Sequence, residues 1–139
     1  MGHTVAIKPR ALDLSCTTLL LTHPPASPQL LSSLLLPTSP AVAWRAPQAG
    51  DYYLFAQAMQ LAPERKTLLH CQANFRASSF ALLYRVLELG VPLAQAKTDM
   101  NKVWTPNSIW TQFILDVLKD NDVDPNCSGC DWTPSTIGE

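Results

Sequence analysis

A short apolar run, Thr67-Leu68-Leu69, leads into His70-Cys71-Gln72-Ala73-Asn74-Phe75-Arg76-Ala77-Ser78-Ser79, and a long helical pattern leads out of it. The order is strand, tight loop, helix start. At such a junction several backbone N–H groups have no partner within the helix, and the helix dipole presents its positive end. That combination binds anions. A cysteine at its mouth has its thiolate favoured by the dipole and by Arg76, and the thiolate is the form that attacks phosphorus or sulfur. Arg76 adds paired donors that match two oxygens of a phosphate or sulfate. The competing reading is that a lone cysteine at the end of a buried strand is a small hydrophobe. His70 before it and Arg76 after it favour a thiolate-bearing, oxyanion-binding loop.

His70-Cys71, a short loop, Arg76 and a helix resemble the signature of the cysteine-dependent protein tyrosine and dual-specificity phosphatases. Leu69 to Phe80, with Leu83-Tyr84-Arg85 and Val103-Trp104-Thr105-Pro106-Asn107, is more closely similar to a small bacterial phosphatase-like family. That family is related to the phosphatase-like domain of beta-lactamase hydrolase-like proteins, and the resemblance spans roughly Val42 to Leu115. It implies Cys71 as nucleophile and Arg76 as phosphoryl clamp. Gln72, Ala73, Asn74, Phe75, Ala77 and Ser78 then complete the phosphate-binding loop, and His70 is structural or tunes the thiol.

Four features depart from the family pattern. Four residues rather than five separate Cys71 from Arg76, a length that resembles the active loop of rhodanese sulfurtransferases. The hydroxyl that follows the arginine in the family is replaced by Ala77, with Ser78 one step later as its substitute. The usual loop glycine is absent, and Asn74 stands near its place, a residue type that tolerates left-handed backbone better than most. Finally, the segment matching the general-acid loop, Ala41-Val42-Ala43-Trp44-Arg45-Ala46-Pro47, holds no carboxylate. Asp51 is the nearest candidate acid, but its position at a helix start also suits the dipole.

The rest of the chain bounds the reading. With 47% apolar and 15% charged residues in 139, it has the makings of one domain with a core. Lys+Arg 10 against Asp+Glu 11 gives no basic face for nucleic acid. No apolar run approaches the length of a membrane span, and the opening fits a signal peptide poorly, so a cytoplasmic, non-membrane protein is expected. Residues 1–40 form an atypical Leu/Pro/Ser/Thr-rich segment, either divergent or incomplete as a family start, with a strand expected over Thr17–Thr22 and a short helix over Gln29–Leu36. Residues 41–119 read as the phosphatase-like core. Within them Ala41–Trp44 is a strand or a loop approach, Asp51–Leu61 a helix, Lys66–His70 a strand, and Ala77–Leu89 a helix ended by Gly90. Ala94–Val103 is a further helix, and a last one is capped by Thr105 with Pro106 at its first position. Residues 120–139 form a turn-rich tail, expected to be flexible; its Cys127-Ser-Gly-Cys130 lacks further ligands at zinc-site spacing, so no metal and no cofactor are expected.

Together these readings give an α/β domain: three layers, a small mainly parallel sheet flanked by helices, of cysteine-phosphatase type. The expected partner is a phosphorylated protein or a small phosphate monoester, hydrolysed through a Cys71 thiophosphate. The alternatives are a rhodanese-like sulfurtransferase carrying a persulfide on Cys71, and a pseudophosphatase that binds phosphorylated ligands with little turnover.

Overall fold

Helix α2 (Phe75–Leu87) is the element on which the others pack, and its sequence accounts for that role. Phe80, Leu82 and Leu83 are buried, with Arg76, Ala77 and Ser79 buried in the first turns. Two faces of the helix are thus covered at once. The computed structural model describes residues 17–21, 42–61 and 66–138. Before α2 come strand β1 (Thr17–Leu21), helix α1 (Ala49–Gln60) and strand β2 (Lys66–His70); after it come α3 (Leu93–Asn101) and α4 (Ser108–Asp120).

The centre of the core is aromatic. The Phe80 ring lies 5.3 Å from Phe55 of α1, 5.6 Å from Phe113 and 6.3 Å from Trp110 of α4. One side chain therefore joins three helices, and burying a ring of this size stabilises by about 1.5–3 kcal/mol. Tyr52 is buried beside it, its hydroxyl 3.4 Å from Glu88 Oε1. Burial, and then the Glu88 carboxylate, hold its phenol well above the ordinary range. Helix α4 buries Trp110, Thr111, Phe113, Ile114, Val117 and Leu118, the recurrence at three and four residues that an amphipathic helix needs.

The described residues combine helices with short strands, as expected of a mixed chain. The expected mainly parallel sheet is not formed among them: β1 and β2 pair antiparallel, Thr17 opposite His70 and Leu21 opposite Lys66. The link between them contains α1 but delivers β2 in the opposite sense to β1, so this pair is not a parallel crossover unit. The expected short helix at Gln29–Leu36 lies outside the described residues, as does most of the segment 1–40. Val42 and Ala43 are irregular and lead into a turn at Trp44 and Arg45, so this stretch is a loop rather than a strand.

Two element ends differ from the sequence reading. Helix α2 begins at Phe75, two residues early, because Asn74 turns left-handed and serves as its N-cap. Its other end closes as expected: Gly90 has φ 65°, and the Val91 N–H donates to the Arg85 carbonyl at 2.9 Å. Helix α4 is capped by Asn107, not Thr105; Asn107 Oδ1 accepts from the Trp110 N–H at 3.1 Å. The backbone at Thr105 and Pro106 is engaged elsewhere, since the Ser135 hydroxyl donates to the Thr105 carbonyl at 2.5 Å and the Ser135 N–H to the Pro106 carbonyl at 2.9 Å.

Those bonds also correct the expectation of a flexible tail. Residues 121–138 are turn-rich but fixed against the helices. The Trp132 indole donates to the Pro125 carbonyl at 3.0 Å, and its ring lies under the Lys97 ammonium, 4.8 Å away. Lys97 is buried and donates to Asn101 Oδ1 at 2.9 Å; burial pushes its ammonium pKa down. Cys127 and Cys130 are joined in a disulfide around a turn. Farther on, Gly138 accepts from the Trp44 indole at 2.9 Å. A Cβ at Gly138 would meet the Trp44 ring at 2.6 Å, and its φ of 79° independently favours glycine.

Candidate functional site

Strand β2 ends at the half-buried His70, and Cys71 is the first residue beyond it, only 7% exposed. The chain then turns within three residues. Gln72 and Ala73 are exposed, and Asn74 is buried with φ 60° and ψ 11°. Its side chain does not cap α2. Instead Asn74 Oδ1 accepts from the Cys71 N–H at 3.2 Å, closing the loop on itself. Asn74 therefore supplies both the left-handed backbone and a hydrogen bond that a glycine could not make.

Arg76 lies in the first turn of α2 and is 6% exposed. Its Nη1 donates to the Val42 carbonyl at 2.8 Å. A guanidinium buried at a helix N-terminus opposes the dipole, so this bond to a carbonyl oxygen offsets part of that cost. Val42 comes from the loop ahead of α1, in the stretch where a general acid is expected from the sequence resemblance. Cys71 and Arg76, the two residues expected to do chemistry, are themselves buried and flank one short loop, and the segment 42–44 lies against it.

Ser78 is half-buried, and its hydroxyl donates to the Phe75 carbonyl at 3.0 Å. Ser79 donates to the same carbonyl at 3.0 Å. Both hydroxyls bond back along the helix, a common use of serine in a first turn. Ala77 is buried against the core. Asp51 sits at the third position of α1, where its Oδ2 accepts from the Gln48 N–H at 2.9 Å in a capping box. That is the structural role weighed for it in the sequence, and its hydrogen bond goes to its own helix end rather than to the loop.

The sequence reading missed the aromatic floor beneath the loop. Phe75 stacks face to face on Trp104, ring centroids 4.5 Å apart and planes 6° from parallel. Trp44 lies 6.2 Å from Phe75, 5.6 Å from Trp104 and 5.6 Å from Trp110. Trp110 Nε1 donates to the Trp44 carbonyl at 3.0 Å, tying the 42–44 segment to α4. Trp44 and Trp104 stand in irregular segments, where no periodicity assigns a side chain to a face; only their position at element junctions marks them.

A cavity of about 140 Å³ runs along the other side of α2, between it and α3. Asn74 and Ser78 line one end and Arg85 with Asp99 the other, an ion pair at 3.0 Å; the rest is apolar. Among the described residues, no three His, Cys, Asp or Glu side chains come together as metal ligands, and no helix is long and apolar enough to cross a membrane. No known protein family, no curated protein and no solved structure matches this chain.

Proposed function

We propose that this chain is a cysteine-dependent phosphatase of protein tyrosine phosphatase type, acting on phosphate monoesters or phosphorylated protein. The observation that carries the reading is the placement of Cys71 and Arg76, both buried, on either side of a four-residue loop whose left-handed Asn74 starts a thirteen-residue helix. The helix start and Arg76 favour an anion at that place, and the same field favours the Cys71 thiolate. In the first step Cys71 sulfur attacks phosphorus, the S–P bond forms and the P–O bond to the leaving group breaks. Loop amides and Arg76 hold the equatorial oxygens. In the second step water attacks phosphorus, the S–P bond breaks, and inorganic phosphate leaves with the thiolate restored. With this reading goes the expectation of a three-layer domain of that type, which an experimental structure of the whole chain would test.

A second reading, a module that binds phosphorylated ligands with little turnover, is favoured by one observation. The Asp51 carboxylate is engaged in its own helix cap, and no other acid stands in the 42–47 segment. A single comparison separates the two readings: hydrolysis of an aryl phosphate by the wild type and by Cys71→Ser. Turnover abolished by the substitution supports the phosphatase. Phosphate binding without turnover in the wild type supports the binding module, and absence of both removes the loop from consideration as an oxyanion site.

A further inference from the structure

Four tryptophans are present, and three of their indole N–H groups have an acceptor: Trp44 donates to the Gly138 carbonyl, Trp110 to the Trp44 carbonyl and Trp132 to the Pro125 carbonyl. The fourth, Trp104 Nε1, is buried with no hydrogen-bond partner among the described residues. Trp104 is 4% exposed, so this donor has lost water without gaining an acceptor among the described residues. Leaving a buried N–H in that condition is costly, and folded proteins seldom do it without a reason. Here the orphan belongs to the ring that lies flat on Phe75, the first residue of α2 and the neighbour of both Asn74 and Arg76.

We propose that Trp104 Nε1–H is a binding group of the candidate site, donating to an oxygen of the anion taken up by the Cys71–Arg76 loop. The inference rests on the oxyanion reading above and extends it to a residue nearly thirty positions away in sequence. The chemistry of the donor selects the ligand class. An indole N–H can only donate, so its partner is an oxygen acceptor and never a cation. The neighbouring helix start and guanidinium favour negative charge on that acceptor. Phosphate and its monoesters meet both conditions with oxygens on several sides. Because Trp104 Nε1 has essentially no exposed surface, a ligand oxygen reaches it as the half-buried rings of Trp44 and Phe75 give way. The same rings then exclude water from the bound anion, where a neutral donor in a dry site is strengthened.

The test follows the indole itself. In the wild-type protein, ¹H–¹⁵N spectra with the Trp104 indole resonance assigned through bonds are recorded during titration with inorganic phosphate, ionic strength being held constant with chloride. The expected result is a saturable downfield shift of the Trp104 indole proton, with the same midpoint as the backbone amides of Asn74 to Ser78. Trp104→Phe, which keeps a ring to stack on Phe75, should then bind phosphate about tenfold or more weakly. If the loop amides titrate while the Trp104 indole does not move, or if Trp104→Phe binds phosphate as the wild type does, the inference falls and the oxyanion reading survives. If neither the amides nor the indole respond to phosphate, both fall. The wild-type titration decides the matter alone should Trp104→Phe fail to fold.

Discussion

Asn74 combines a left-handed backbone with a hydrogen bond across the loop, and the two contributions separate by substitution. Asn74→Ala removes the acceptor of the buried Cys71 N–H, at a cost of about 1–3 kcal/mol. It also places a Cβ-bearing residue without asparagine's tolerance at φ 60°, a further cost of about 1 kcal/mol. The total is about 2–4 kcal/mol. Asn74→Gly loses the same acceptor but relieves the backbone; after its greater unfolded-state freedom is allowed for, it should be about 0.5–1 kcal/mol better than alanine. Asn74→Asp keeps both backbone tolerance and acceptor, so its stability should stay near the wild type. Its carboxylate, however, sits against the Cys71 N–H and disfavours a thiolate at the same residue, so alkylation of Cys71 should need a higher pH. Urea unfolding measures the stabilities, and iodoacetamide alkylation of Cys71 as a function of pH measures the thiol. An alanine variant within about 0.5 kcal/mol of wild type would show that the loop does not depend on this residue. An aspartate variant with an unmoved alkylation midpoint would show that Cys71 sulfur does not feel charge at the loop.

Two further outcomes follow from the same geometry. Asp51→Asn should leave aryl phosphate turnover nearly unchanged and lower stability by about 1 kcal/mol through its cap; a loss of about two orders of magnitude on alkyl phosphates, with their poor leaving groups, would instead make Asp51 the general acid. Asp99 is held below the usual carboxylate range by its hydrogen bonds to Lys102 and then to Arg85. A depressed native pKa contributes stability above the unfolded value near about 4 and loses it as pH falls through the native value. Asp99→Asn should therefore cost less than about 1 kcal/mol at pH 7, given the exposure of the partners, and the difference from wild type should vanish in strong acid when urea midpoints are compared across pH.

What the sequence could reveal follows the range of the forces involved. Strand β2 was legible from Lys66 to His70 because a short apolar run bounded by polar turns is a local signal. The loop, Cys71 and Arg76 were legible from residue chemistry, and Gly90 from its place after the last apolar position of α2. The cap of α4 moved from Thr105 to Asn107 because Ser135, thirty residues away, takes the carbonyls of Thr105 and Pro106. The tail was misjudged for the same reason. Its anchors to the rest of the chain run largely through backbone carbonyls, those of Ile137 and Gly138 in the tail and of Thr105 and Pro106 opposite it, which every residue possesses and no pattern announces. Strand direction is likewise set by pairing across a long link, and the antiparallel register of β1 and β2 leaves no trace in either strand alone.

The bond from the Trp44 indole to Gly138 spans 94 residues. Closing so long a segment costs chain entropy before any contact at its ends rewards it, whereas α2, α3 and α4 assemble through neighbours close in sequence. In time order, then, the helices come first and the aromatic floor under Phe75 is finished last. During synthesis Trp44 emerges long before its acceptor does, and the loop bearing Cys71 must wait with one side unsupported. The contact completed last is also among the easiest to open, since this bond is solvent-exposed and lies outside the buried core. Hydrogen exchange should accordingly reach the Trp44 indole well before it reaches the α2 and α4 amides.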